Sequence, residues 1–337
     1  MSSNNYKLTK ISKNTGADEF INWSQNSFWQ SHLWAEILRE THQARDILLC
    51  TDASHSILLE RRKIIGKYTG LYVLGVDGNI ISDDFLAFVG VKIVNKDDLF
   101  LQIEPLIEPG RAQRSPRKAP FRRFIEPVTA LIQLTDQTQE LLLQNFTEKG
   151  RYNIRLAQKR WLTTKWVKGY DIYRATGKTY LEEFFNLLDE TTKRDGFSHN
   201  MLTYYRYFVE TLEAHNAGGL LIAEKDNILH AAGIFAYWGW TGIYYYGASA
   251  SDKEIRRDMG TYLLQWEAIC EARRRACTTY DFLWISPDGK GKLAGVTEFK
   301  LRFHPEKKTW PEEEVFVYKP FLLRILQGVS KLRKLFR

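Results

Sequence analysis

Residues 218–249, GGLLIAEKDNILHAAGIFAYWGWTGIYYYGAS, constrain the fold more than any other stretch. They read as three apolar strands joined by turns, a meander. The aromatic run 237–246, YWGWTGIYYY, is mostly alternating strand packing, with one or two rings free to line a groove. A helix, MGTYLLQWEAICEARRRAC, follows and feeds the strand YDFLWIS. Strand and helix patterns in this order define an α/β unit around a mixed sheet.

The N-terminal half has a similar order. SHLWAEILRETH reads as a helix with Ser31 as its N-cap. ARDILLCTD, HSILLERRKII, GLYVLGVDGNII and DLFLQIEPLI read as strands. Residues 108–124, EPGRAQRSPRKAPFRRF, carry six Lys/Arg and three Pro and read as irregular. VTALIQL is a strand, and a helical region then runs to Trp161. A strand near 170–175 and the helices KTYLEEFFNLLDETTKRDG and MLTYYRYFVETLEAH lead into the meander. The two halves suggest a duplicated α/β unit, although no residue-level repeat accompanies them. With 337 residues, two domains of ordinary size are expected.

The chain carries 48 Lys/Arg against 40 Asp/Glu, a net charge of +8, which points to an acidic partner: RNA, nucleotide phosphates or an anionic membrane surface. Hydrophobic residues at 44% exclude a disordered chain. Cys50, Cys270 and Cys277 form no CxxC pair, so a reducing compartment is expected and no metal site. The polar start MSSNNYKLTKISKNTG has no apolar core of a signal peptide, and no run is long enough to span a membrane. The expected location is the cytoplasm, with peripheral contact at the inner face of the membrane.

GRYNIRLAQKRW, residues 150–161, holds four cations and no anion. At 3.6 residues per turn Arg151, Arg155 and Lys159 share one stripe, and Ile154, Ala157 and Trp161 the opposite face. A solvated helix face mixes in acids, and this one does not past Glu148, which tilts the stripe towards an anionic partner. In TEFKLRFHPE, Phe299 and Lys300 follow the last strand. A lysine at a strand end beside an aromatic can aim one charge at a developing oxyanion. No hydrolase, metalloprotease or P-loop motif occurs. His230, within a strand, reads as structural.

The meander-then-helix order resembles an N-acetyltransferase (GNAT) unit. Its pyrophosphate motif is degraded here: in RDMGTY, Arg257 and Gly260 fit, but Tyr262 stands where Gly or Ala is expected and would crowd a pyrophosphate. Four stretches in order, QSHLWAEI, TEKGRYNIRLAQK, YYYGASASDKEIRRDMGTYLLQWEAI and YDFLWISPD with GVTEFKLRF, resemble the Fem family (FemABX/MurM-like) of peptidoglycan aminoacyltransferases. The resemblance implies two tandem GNAT-like domains without the coiled-coil insertion of some members. The expected spans are 1–147, with a C-terminal helix 319–337 on it or on the membrane, and 148–318.

It also implies transfer of an amino acid from aminoacyl-tRNA to an amine on the stem peptide of a cell-wall precursor, with no cofactor. Phe299 and Lys300 sit where the family has its Phe-Lys pair. Glu104 stands in place of a typical Asp, and Tyr204 and Tyr246 fall near tyrosines of the peptide-side cleft. Leu38, with Arg39 next to it, and Asn200 replace cations of members that use a UDP-linked acceptor, which favours a lipid-linked one. The C-terminal segment supports membrane contact: from Lys319 onward it carries six Lys/Arg and no acid, and Phe321, Ile325, Val329, Leu332 and Phe336 form one apolar face. The alternatives are another acyl- or aminoacyltransferase on this fold, or a non-catalytic basic module that binds RNA or membrane.

Overall fold

Along the chain, strand pairs joined by short turns alternate with helices that carry an apolar stripe. The order is β1 (Lys7–Lys10), α1 (His32–Glu40), β2 (Asp46–Thr51), β3 (Ser56–Ile65), β4 (Tyr68–Asp77), α2 (Asp83–Phe88) and β5 (Asp98–Ile107). Next come β6 (Val128–Gln133), α3 (Gln139–Asn145), α4 (Glu148–Lys159), β7 (Thr163–Val167), β8 (Ile172–Tyr173), β9 (Lys178–Thr179), α5 (Tyr180–Asp195) and α6 (Leu202–Ala214). The meander is β10 (Gly218–Lys225), β11 (Ile228–Trp238) and β12 (Thr241–Ser249), followed by α7 (Lys253–Arg257), α8 (Gly260–Arg274), β13 (Thr279–Asp281) and α9 (Ala294–Leu301). The chain ends with β14 (Glu306–Thr309), β15 (Glu314–Val317) and α10 (Pro320–Leu335). This computed structural model describes residues 6–20, 27–109, 119–196, 198–291 and 294–335. Most of the basic loop expected at 108–124 therefore lies outside the described residues.

Two compact units result, Met1–Pro127 with Trp310–Arg337, and Val128–Thr309. The first holds a six-stranded sheet in the order β1-β2-β3-β4-β5-β15. Only β4 and β5 pair in parallel there, and α2 lies between them in sequence. The second holds a seven-stranded sheet, β14-β6-β13-β12-β11-β10-β7, in which only β12 and β13 are parallel, with α7 and α8 between them. Meander, helix, parallel strand is thus built twice, and the expected α/β class with two mixed sheets holds.

The boundaries differ from those expected. The first unit ends at Pro127 rather than 147, because β6 pairs with β13 and β14 of the second sheet. The return falls at Trp310 rather than 319, because β15 pairs with β5. Both pairings are non-local and leave no trace in a local pattern. The strand expected at 170–175 shrinks to β8, and the edge strand of the second sheet is β7.

Local chemistry explains the helix starts. Ser31 accepts from the Trp34 N–H at 3.1 Å, as expected of an N-cap. Thr179 and Glu182 form a reciprocal capping box on α5, which ends at Gly196 with φ 75°. On α10 Pro320 stands first, where its missing N–H costs nothing. Among the described side chains of α10, Leu323 and Leu326 pack inward, and the Gln327 amide donates to the Pro120 carbonyl at 2.9 Å. Phe321, at 79% exposure, and Ile325, at 48%, face out. The apolar face expected from the sequence is therefore not the packed one. Leu332 and Phe336 side chains lie outside the described residues.

Candidate active site

Lys300 lies in the last turn of α9, not at a strand end as the sequence suggested. Thr297 and Lys300 are the buried residues of α9, and Phe303, two residues past its end, is buried as well. Phe303 stacks on Tyr262 and meets Phe146 edge to face, which anchors the helix. The Lys300 ammonium is buried and donates to the carbonyls of Leu283 at 3.2 Å and Trp284 at 2.8 Å. Its Nζ is 5.7 Å from the centroid of the Tyr244 ring.

Those carbonyls are aimed by a break in the strand. β13 stops at Asp281, and Leu283 takes a left-handed φ of 54°. Asp281 holds the break: its carboxylate accepts from the Leu283 N–H at 2.7 Å and from the Thr129 hydroxyl. Burial lowers the Lys300 pKa from 10.5 to about 7, and the Asp281 charge partly opposes that shift. Burial likewise pushes the Asp281 carboxyl up, opposed by its hydrogen bonds and by Lys300.

A cavity of about 660 Å³ opens at the head of α8. Lys300 and Asp281 do not line it, but Phe299, next to Lys300 in sequence, and Tyr244, whose ring centroid is 5.7 Å from Lys300 Nζ, do. Tyr244, Gln265 and Phe299 line it, together with Met259, Gly260 and Tyr262. Met259 precedes α8 with φ 60° and caps it with no side chain; its carbonyl accepts from the Tyr262 N–H at 2.9 Å, and Gly260 and Thr261, at the helix start, line the cavity. Gly260 is required: a Cβ there would come within 2.8 Å of the His230 Cβ. The Tyr262 ring turns to Phe299 and Phe303, with centroids at 5.1 and 5.7 Å. Gln265 accepts from the Tyr280 hydroxyl at 2.7 Å, and its buried amide nitrogen makes no hydrogen bond among the described residues. His230 donates to the Ile255 carbonyl at 3.1 Å and burial lowers its pKa, as fits the structural role expected.

A β-bulge opposite Ile234–Phe235 breaks the alternation of β12. Tyr244 therefore stacks on Phe235 and lines the cavity, while Tyr245 and Tyr246 both meet Phe208 of α6. The Tyr244 hydroxyl lies over Gly247, 1.7 Å from where a Cβ would stand. The Tyr204 and Tyr246 hydroxyls share a hydrogen bond of 2.9 Å. Asn200 joins that cluster, its N–H donating to the Tyr205 hydroxyl at 3.2 Å. Three of the sequence candidates thus meet in one aromatic cluster of the second unit.

The other candidates are spread. Glu104, in the first unit, is fully buried and accepts from Gln102 at 2.6 Å, from the Phe124 N–H at 3.0 Å and from the Ile125 N–H at 2.6 Å. Burial raises its pKa from 4.5 to about 7. Around it, which the sequence did not reveal, Glu60 accepts from Trp34 Nε1 at 2.6 Å and from Arg62 Nε at 2.6 Å. The Arg62 guanidinium sits 4.4 Å over the Phe124 ring. Arg39 is engaged by Glu40 at 2.9 Å and by the Ser12 carbonyl at 3.1 Å, and Leu38 is a core residue.

Arg151 does not belong to a free stripe: it donates to the carbonyls of Gln144 and Phe146, closing the end of α3. Arg155 and Lys159 are exposed and form no ion pair among the described residues. Ile154 and Ala157 are buried as expected, but Trp161 is 83% exposed, because α4 ends before it and its backbone turns to φ 64°. Among the described residues no three His, Cys, Asp or Glu side chains gather as metal ligands.

The comparisons fit this architecture. The crystal structure of FemX matches with a TM-score of 0.74 at 17% identity, covering 95% of this chain and all of that one. A second match is the crystal structure of the C-terminal domain (DUF2156) of a putative lysylphosphatidylglycerol synthetase from Agrobacterium fabrum. It has a TM-score of 0.53 at 13% identity and covers 94% of this chain and 95% of that one. Both likenesses concern the fold. No curated protein sequence matches the chain. The FemAB family profile matches residues 123–224 and 215–310, more than half of the chain. Two mixed α/β units in tandem are the class of fold that these structures share with the chain. The chain belongs to the FemAB family.

Proposed function

We propose that the protein transfers an aminoacyl group from aminoacyl-tRNA to an amine on the stem peptide of a peptidoglycan precursor. The observation that carries this reading is the buried Lys300 ammonium, 5.7 Å from the ring centroid of Tyr244, which lines an open cavity at the head of α8. Family membership supports the same chemistry. The acceptor amine attacks the ester carbonyl, an oxyanion forms, and the C–O bond to the terminal ribose breaks. The amine gives up one proton and the ribose oxygen takes one. Lys300 stabilises the oxyanion, and Phe299 and Tyr244 hold the donor end in register. Tyr204, Tyr246 and Asn200 form the wall on the peptide side, Arg155 and Lys159 meet tRNA phosphates, and no cofactor takes part. Glu104 and Arg39, substrate-binding candidates in the sequence, act in this reading through the first unit, Glu104 by holding the backbone at Phe124 and Ile125 and Arg39 by tying α1 to the Ser12 carbonyl.

The acceptor in this reading is the lipid-linked form. Phe321 and Ile325 stand exposed on a helix whose sequence carries cations and no acid, the make-up of an interfacial anchor. No helix among the described residues is long and apolar enough to cross a membrane, and the contact in this reading is peripheral. The test combines purified protein, bulk charged tRNA, and lipid-linked or UDP-linked acceptors, with mass spectrometry of the product. Flotation with anionic liposomes is compared for the full chain and a truncation after Tyr318. No mass shift on either acceptor overturns the proposed activity. Equal use of both acceptors, with no flotation, overturns the lipid-linked form alone.

A further inference from the structure

Trp161 breaks two local rules at once. It occupies the left-handed position that ends a helix, where glycine is favoured, and it leaves its indole 83% exposed. It stands two residues past Lys159, the last residue of α4. Tyr152, 61% exposed, shares the outer face of α4 with the exposed Arg155 and Lys159, at spacings of three and four residues. Exposed rings interleaved with unpaired cations suit an unpaired nucleic-acid strand, whose bases stack while its phosphates are neutralised.

The helix bearing this face is fastened at both ends to the elements of the cavity. At its start, the Thr147 N–H and hydroxyl donate to the Arg302 carbonyl at 3.2 and 2.9 Å, two residues beyond Lys300. Gly150 permits that approach, since a Cβ would meet the same carbonyl at 2.3 Å. At its end, Arg160 donates to the Arg257 carbonyl at 2.5 Å and to Asp258 at 2.9 Å, on the approach to α8. In between, the Asn153 side chain hydrogen-bonds Tyr262, which lines the cavity. Buried Ala157 and Leu162 pack on Leu263 of α8. At about 1.5 Å per residue, α4 offers roughly 18 Å of surface, enough for a few stacked nucleotides.

We propose that the outer face of α4, with Trp161 as its stacking platform, binds the single-stranded 3′ end of the RNA donor and leads it to the cavity. This rests on the aminoacyl-tRNA reading above and adds to it which part of the RNA is held and by which side chains. Specificity here is for an unpaired strand, not for a base sequence. A duplex offers phosphates but no open base faces, so it can use Arg155 and Lys159 and not Trp161.

The test uses the full chain and an RNA hairpin with or without an unpaired 3′ tail, with affinity read by fluorescence anisotropy at several salt concentrations. The expected result is that Trp161→Ala weakens the tailed hairpin about tenfold and leaves the blunt one unchanged. Trp161→Phe keeps most of the affinity. Trp161→Gly, which suits the backbone there, behaves as Trp161→Ala and excludes a folding defect. Unchanged affinity of Trp161→Ala for the tailed hairpin, or an equal loss on both hairpins, overturns the proposal. Wild-type transfer from charged tRNA is assayed in parallel. If transfer occurs and Trp161→Ala shows no tail-specific loss, this inference falls and the proposed function stands. If the tail-specific loss is seen without transfer, the reverse holds.

Discussion

Replacing Lys300 by Met keeps the volume and removes the ammonium. Two consequences follow from its surroundings. The carbonyls of Leu283 and Trp284 lose their donor, and Asp281 loses its countercharge. A buried polar group left unpaired costs about 1–3 kcal/mol, so a net stability loss of a few kcal/mol is expected, moderated as Asp281 takes up a proton. Loss of the oxyanion partner is expected to cost about a hundredfold in turnover, near 3 kcal/mol. The two effects separate in Lys300→Met/Asp281→Asn. There the uncompensated Asp281 charge is gone, so that part of the stability loss recovers, the unpaired carbonyls remain, and turnover does not recover. Single-turnover transfer per folded molecule, with urea melts alongside, reads both. The sign of the pH effect is fixed too. Because the folded pKa lies near 7 instead of 10.5, the unfolded chain binds more protons between these values. The burial penalty is therefore full below pH 7 and fades as pH rises towards 10.5. The catalytic cation is lost as pH rises through about 7, so wild-type turnover bends down there and the residual turnover of Lys300→Met does not. Turnover of folded Lys300→Met within threefold of wild type would refute the reasoning. So would the double variant recovering turnover together with stability, which would make Lys300 purely structural.

Three further outcomes are expected. Arg155→Glu with Lys159→Glu should reduce the slope of log affinity for tRNA against log salt by about 1.5, whereas Arg151→Ala should chiefly lower stability, by about 1 kcal/mol, because it caps α3. Gly247→Ala should displace the Tyr244 ring, whose hydroxyl occupies the place of the new Cβ, and cut transfer by at least tenfold without unfolding; circular dichroism and a transfer assay check this. Glu104 has a folded pKa raised from 4.5 to about 7, so its share of stability falls as pH rises through that window. Glu104→Gln should therefore gain on wild type between pH 5 and 7.5, by up to about 3 kcal/mol in urea melts.

What the sequence disclosed depended on the range of the forces involved. The meander, the α8 pattern and the Ser31 cap are set by neighbours in sequence, and they were legible. The Phe299–Lys300 pair stood out in the sequence but was placed on the wrong element, since Thr297, Lys300 and Phe303 do not look like a buried stripe when one member is a charge. Asp281, Thr129 and Gln265 were hidden altogether. An Asp within YDFLWIS reads as a strand residue until β6 brings Thr129 across the sheet to it. The bulge in β12 was hidden for the same reason: three consecutive tyrosines give no sign of which rings share a face. Trp161 was assigned to the apolar face because helical periodicity was carried one turn too far, and the helix stops at Lys159.

The duplicated architecture raises the question of why the helix start of the second unit opens on a cavity while that of the first is closed. Both sheets place a helix between two parallel strands, where a GNAT-like unit offers N–H groups to a ligand. In the first unit that helix is six residues long, and its first turn is closed from within, since the Ser82 hydroxyl accepts from the Phe85 N–H. Phe85, Phe88, Val89 and Ile93 then fill the space beneath it as core. In the second unit the helix is 15 residues long, starts without a side-chain cap, and has a cavity at its head. Substituting Ser82 should therefore act on stability alone, by about 1 kcal/mol, as loss of an N-cap does. A small side chain at Met259 should leave stability nearly unchanged and alter donor affinity. Urea melts and donor titration on Ser82→Ala and Met259→Gly distinguish the two ends. If Ser82→Ala weakened donor binding as much as Met259→Gly changed it, the division between a closed helix start and an open one would have no functional meaning.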